Sequence, residues 1–224
     1  MAIDMIQDDA AGVFDAGTVI KVIGVGGGGG NAVAHMIRSD VRGIEFVFAN
    51  TDAQDLAKAE SSTVVQLGDT GQGAGSKPDI GRQLTEEAED RIREVLTGAN
   101  LVFITAGMGG GTGTGGAPVV ARIAREMGVL TVAVVTKPFD FEGSQRMHHA
   151  DHGLQELQAN VDALIVVLND KLLEVYGDDV TMEEAFGYAD DILKNAVRGI
   201  SDIINVKGMM NVDFADVRTV MSTA

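Results

Sequence analysis

The chain has 224 residues, enough for one domain to bury a sizeable core. Its formal net charge of −16 argues against a nucleic-acid surface and against direct contact with anionic membranes. It has no cysteine, which excludes disulfides, thiol catalysis and cysteine-ligated metals, and with no tryptophan and only 4% aromatic residues its core must be aliphatic.

Residues 1–16 are acidic and lack the basic segment of a signal peptide, so they read as a disordered tail. No apolar run approaches the roughly 18–20 residues of a membrane span, so a cytoplasmic location is expected. A strand over 19–25 then runs into Gly24-Val25-Gly26-Gly27-Gly28-Gly29-Gly30-Asn31, followed by a helix from about 32 to 39. Next come a strand at 44–49, a helix at 53–60, a strand at 63–67 and one long helix at 79–96. The strand at 101–106 enters a second cluster, Gly109-Gly110-Gly111-Thr112-Gly113-Thr114-Gly115, before a helix at 117–127. A strand at 130–136 ends in Thr136-Lys137-Pro138, and helix 144–160, strand 163–168, helix 170–176 and helix 182–204 complete the pattern. Such alternation, with continuously apolar strands, predicts an α/β fold: a Rossmann-like parallel sheet with helices on both faces, ending in a long central helix.

Each glycine cluster lies between a strand and a helix start. Glycine admits positive φ and close approach of a ligand, and the first amides of a helix have no internal partner. Together they make an anion site, most often for phosphate. A flexible linker is the plain alternative, but linkers are not usually flanked by a buried strand and an amphipathic helix. Two such clusters in one domain suggest a single ligand with several phosphates, gripped from two sides. Gly24, Gly26 and Gly29 also fit G-x-G-x-x-G, with Asp52 near the position of a ribose-binding carboxylate, so a dinucleotide site competes on local evidence. An ordinary Walker A loop is excluded, because G-x-x-x-x-G-K-[ST] does not occur. His148 and His152 have metal-ligand spacing but no H-E-x-x-H frame, so a solvated helix face is the simpler account.

The helix at 182–204 is apolar at i, i+3, i+4 and i+7 along its length and needs cover on two sides. Little chain follows it, so the sequence is expected to be part of a longer molecule.

With these features in view, the sequence resembles the FtsZ branch of the tubulin superfamily. The resemblance extends from about residue 18 to 224. It rests on Gly109–Gly115, Gly26–Asn31, Ala49-Asn50-Thr51-Asp52-Ala53-Gln54 and Gly73-Ala74-Gly75-Ser76-Lys77-Pro78. It rests also on Lys137-Pro138-Phe139-Asp140-Phe141-Glu142-Gly143 with Arg146, on Asn169-Asp170-Lys171-Leu172, on Phe186 with Asp190, and on the segment from Asn211 to Val217. Leu168 stands where the family often has proline, and Ser76-Lys77 where it often has Ala-Asn; neither change removes a ligand group. The resemblance outweighs the dinucleotide reading. It implies a tail at 1–16, a GTP-binding domain at 17–180, a central helix at 181–205 and a catalytic loop with the next helix start at 206–224. On this resemblance, the family's C-terminal domain and partner-binding tail would lie outside this sequence.

The resemblance further implies GTP or GDP as ligand, with phosphates held by Gly27, Gly28, Gly29, Gly30, Asn31, Gly111, Thr112 and Gly113, and with Ala74 and Gly75 nearby. Glu142 and Arg146 would meet the ribose; a plain i, i+4 ion pair is the alternative. Asn169 and Asp190 would read the base, and Phe186 would stack on it unless it is ordinary core. Mg²⁺ would accompany the phosphates, with protein ligands undetermined. Asp213 and Asp216, with Asn211, would complete the active site of a neighbouring subunit, although Asp213 alone could be a helix cap. The implied function is a head-to-tail GTPase filament of the bacterial division ring at mid-cell, joined by other division-ring proteins through the missing tail. The chain alone would show weak or no turnover. Other classes left open are a non-catalytic filament-capping module and an NAD(P)-binding oxidoreductase domain.

Overall fold

Strands that are apolar without alternation need cover on both faces, and the chain supplies it. The computed structural model describes residues 18–61, 63–177, 180–205 and 214–221. Six strands, β1 (Ile20–Val25), β2 (Glu45–Asn50), β3 (Thr63–Gln66), β4 (Leu101–Gly107), β5 (Leu130–Lys137) and β6 (Ala163–Leu168), form one sheet in the order β3-β2-β1-β4-β5-β6. Every neighbouring pair is parallel. Each strand lies within one residue of its expected bounds.

The helices are α1 (Gly26–Arg38), α2 (Ala53–Ala57), α3 (Pro78–Glu87), α4 (Glu89–Leu96), α5 (Thr112–Glu126), α6 (Ser144–Asn160), α7 (Asn169–Tyr176), α8 (Met182–Asn205) and α9 (Phe214–Met221). Side-chain parity in the strands sends alternate residues to opposite layers. Ile23 and Val25 of β1, with Val102, Ile104 and Ala106 of β4, join residues of α4, α5 and α6 in one core. Ile20 and Val22, with Leu101 and Phe103, join α1, α8 and α9 in the other. Chain order reverses direction between β1 and β4, which opens a crevice at the carboxyl ends of those strands. Both glycine clusters follow these two strands.

Four helices differ from expectation, among them α2, which ends at Ala57, three residues short of its expected bound. α1 and α5 begin inside the glycine clusters, at Gly26 and Thr112, not after them. Glycine lowers helix propensity, but tertiary contact prevails here. A Cβ on Gly24 would lie 2.3 Å from the carbonyl oxygen of Gly29, so the first turns of α1 rest directly on β1. The anion site is therefore the opening turn of each helix. The single helix expected at 79–96 is instead α3 and α4, separated at Ala88 (φ −97°, ψ 11°). Ala88 donates to Thr85 three residues back, and the Thr85 hydroxyl bonds the Gly81 carbonyl. This tightening turns Ala88, Ile92 and Leu96 under the sheet.

α3 packs on α5 through bare backbone. A Cβ on Gly115 would sit 2.0 Å from the Pro78 carbonyl oxygen, with no flexible side chain to yield. Gly115→Ala is expected to lower Tm by about 5–10 °C. Gly199→Ala, which meets nothing within 4 Å, should leave Tm unchanged or slightly raised in the same melt.

Candidate functional site

The crevice between β1 and β4 contains a cavity of about 380 Å³. Its floor is made by the two helix starts. Gly27, Gly28 and Asn31 come from α1, and Gly111, Thr112 and Gly113 come from the start of α5. The two starts touch: a Cβ on Gly26 (φ +73°) would lie 2.9 Å from the amide nitrogen of Gly113. Neither helix has a side-chain cap at its N-terminus. Amides unpaired within the helix are thus concentrated at one place, where the helix dipoles favour an anion. The Thr112 hydroxyl shares a hydrogen bond of 2.7 Å with the Thr51 hydroxyl.

The opposite wall holds Glu142, Arg146, Asn169, Phe186 and Asp190. Glu142 is fixed twice: Oε1 accepts from the Phe139 amide at 3.0 Å, and Oε2 accepts from Arg146 Nη1 at 2.7 Å. The i, i+4 ion pair therefore exists and lines the cavity as well. Asn169 is 3% exposed and opens α7 at the end of β6. Its Oδ1 is buried without a partner. Such an acceptor costs about 1–3 kcal/mol unless a ligand donor meets it. Asp190 lies on the face of α8 that also brings Phe186, Ala189 and Leu193 to the cavity. Burial pushes its carboxyl up to about 6, against the opposing influence of His35 and Arg38. Asp191 faces away and accepts from His35 Nε2 at 2.8 Å. Phe186 is 40% exposed and stands edge-on to Phe139, with ring centroids 5.2 Å apart; Phe139 in turn stacks on Phe141.

Four expected residues lie off this lining. Gly29 is buried where α1 crosses β1 and β4, and Gly30 faces the Phe48 ring in an adjoining groove that shares Gly27 and Asn31. Ala74 packs behind Gly111, and Gly75 is exposed in a positive-φ turn (φ +57°). Asp216 is exposed and adjoins Ile200 and Ile203 near the far end of α8. Asn211 and Asp213 lie outside the described residues. Asp52, the candidate ribose carboxylate of the dinucleotide reading, instead caps α2 by accepting from the Gln54 amide. Among the described residues no group of three or more His, Asp or Glu could hold a metal, and His152 contacts Glu156 at 3.8 Å. Sequence reasoning pointed to the Thr136–Pro138 turn but missed Gly107, Met108, Ala189 and Leu193 in the lining. For Ala189 and Leu193 a signal was available: they share a helical face with Phe186 and Asp190. No helix of the described residues is long and apolar enough to cross a membrane.

Comparison with known proteins agrees with this architecture. The family model described as the Tubulin/FtsZ family, GTPase domain, matches residues 19–177. The chain is 60% identical over 206 residues to the cell division protein FtsZ of Pseudomonas putida, covering 91% of this chain and 52% of that protein. The corresponding protein of Coxiella burnetii is 58% identical over 206 residues, again with 91% of this chain and 53% of that protein covered. A solved structure described as an empty FtsZ dimer from M. jannaschii superposes with a TM-score of 0.87 at 42% identity, covering 92% of this chain and 60% of that one. The chain thus spans about half the length of the curated relatives it matches. It belongs to the tubulin/FtsZ family and carries that family's GTPase domain.

Proposed function

We propose that the cavity binds GTP and GDP, and that the longer protein hydrolyses GTP as head-to-tail filaments of the bacterial division ring, at mid-cell in the cytoplasm. The observation that carries the reading is the pairing of two unlike walls. One is two uncapped glycine-built helix starts in contact; the other is a buried carboxyl and an unpartnered amide oxygen. The first suits phosphates. The second suits a base that presents adjacent donors, as guanine does with N1–H and N2–H₂. Adenine offers no such pair, so it would leave Asp190 unsatisfied. Relatives that are cell division proteins, and one solved as a dimer, support the assembly.

In this mechanism the first-turn amides at Gly27, Gly28 and Gly111–Gly113 hold the phosphate oxygens. Glu142 and Arg146 meet the ribose, Asn169 and Asp190 orient the base, and Phe186 stacks on it. The phosphate wall offers amides and hydroxyls, and among the described residues there is no acidic cluster, so a metal ion fits only as a companion of the phosphates. Mg²⁺, when bound there, would neutralise charge developing on the phosphate oxygens. Phosphoryl transfer then needs a positioned water. Asp216 adjoins Ile203, thirteen residues along α8 from Asp190, which is about 20 Å at 1.5 Å per residue. It cannot reach the phosphates of its own chain. Asp213 and Asp216 of a neighbouring copy therefore orient the water, and such a contact, being heterologous, propagates as a filament.

The test is GTP turnover per subunit against protein concentration, with Mg²⁺. The expected result is tight GTP binding with a low rate that rises with concentration. A substantial rate independent of concentration would overturn the shared site, whereas a flat, near-zero rate beside intact GTP binding would mean that this chain needs the rest of the longer protein to assemble it.

A further inference from the structure

The two walls of the cavity belong to different helices, and one polar tie joins those helices beside it. α1 supplies Gly27, Gly28 and Asn31 to the phosphate wall; α8 supplies Phe186 and Asp190 to the base wall. One turn beyond Asn31, His35 Nε2 donates to Asp191 Oδ1 at 2.8 Å, and Lys194 Nζ reaches the same oxygen at 2.5 Å. Asp191 is the next residue after Asp190. Deeper in the contact, Val33 and Met36 share a core with Leu193 and Val197. That packing holds the helices together but has little directional preference. A hydrogen bond does have one.

We propose that His35 and Asp191 are positioning residues: their bond sets the rotation of α8 against α1, and so the spacing between the Asp190 carboxylate and the phosphate-binding turn at Gly27–Asn31. The inference rests on the guanine-nucleotide reading of the site. Lys194 and His35 hold the Asp191 carboxyl below the ordinary range, so it is charged at neutral pH. The next cation on α1, Arg38, pairs with Glu60 at 2.7 Å. Both His35 and Asp191 are partly exposed, with side chains 25% and 43% accessible, so the pair adds little to global stability. Misplacement matters more, because one ligand must satisfy both walls at once.

The experiment measures affinities for GDP, ADP and inorganic pyrophosphate by calorimetry, together with Tm, for wild type, His35→Ala, Asp191→Ala and His35→Gln. Wild type should prefer GDP to ADP. In His35→Ala and Asp191→Ala, GDP affinity should fall about tenfold while pyrophosphate affinity stays within about twofold. Tm should stay within about 2 °C of wild type. His35→Gln, whose amide can still donate to Asp191, should recover most of the loss. Unchanged GDP affinity in both alanine variants overturns the inference. So does an equal loss for GDP and pyrophosphate. A wild type without preference for GDP would overturn the guanine reading itself, and this inference with it.

Discussion

Asp190→Ala is expected to weaken GTP binding by about 10- to 100-fold while changing ATP binding little. Hydrogen bonds to a charged acceptor are worth about 1.5–3 kcal/mol, and each 1.4 kcal/mol is tenfold. Competition of GTP and ATP against a fluorescent guanine nucleotide measures both. If selectivity for GTP over ATP survived the change, the base would be read elsewhere. The same carboxyl gives the interaction a pH dependence. Burial raises it from 3.8 to about 6, and guanine needs the ionised form. GTP affinity should therefore be flat above about pH 6.5 and fall towards tenfold per pH unit well below 6. Folding stability runs the other way in the ligand-free chain. Between about 4 and 6 the folded state holds this proton more tightly than the unfolded state does. The group's contribution then declines as pH rises through that window and is level above it. Subtracting the Tm profile of Asp190→Asn from that of wild type isolates this slope.

Asp213→Ala should leave GTP affinity within about twofold and reduce turnover at least 10²-fold, as expected for a residue that serves only the transition state of a neighbour's site. Single-turnover hydrolysis and equilibrium binding on the same preparation separate the two effects. Complementation gives a sharper check. Asp213→Ala keeps an intact cavity, and Asp190→Ala keeps an intact loop. Mixed in equal amounts, about a quarter of randomly formed head-to-tail contacts would join the good halves. At a GTP concentration too low to fill the Asp190→Ala cavity, activity should appear in the mixture that neither variant shows alone. An inactive mixture would mean that both halves must come from one chain.

The sheet was legible because each strand is an unbroken apolar run between turn residues, and a buried parallel strand needs nothing else locally. The lining of the candidate site was legible in the residues whose chemistry is unusual for their place: glycines after β1 and β4, Asn169 at the start of α7, and Glu142 with Arg146 one turn apart. The break at Ala88 was not, since it depends on how α3 meets the bare backbone of α5. Helix starts inside the glycine clusters were hidden for a related reason. Local propensity disfavours glycine in a helix, and only contact with β1 and β4 reverses that preference.

Choosing between Asp190 and Asp191 shows the division most clearly. By itself the sequence determined that two carboxylates follow each other on a long helix, and therefore that they point to different sides. It also determined the strand segments, the two glycine clusters that follow β1 and β4, and the family resemblance. Tertiary structure alone decided the strand order, and with it the crevice between β1 and β4. It decided that Asp190 is buried against that crevice while Asp191 meets His35, and that Asn169 carries an unpartnered oxygen. Periodicity and propensity are local and can be read from neighbours in the chain. Burial, partner and charge state depend on residues far apart in sequence, such as the 156 positions between His35 and Asp191, which only folding brings together.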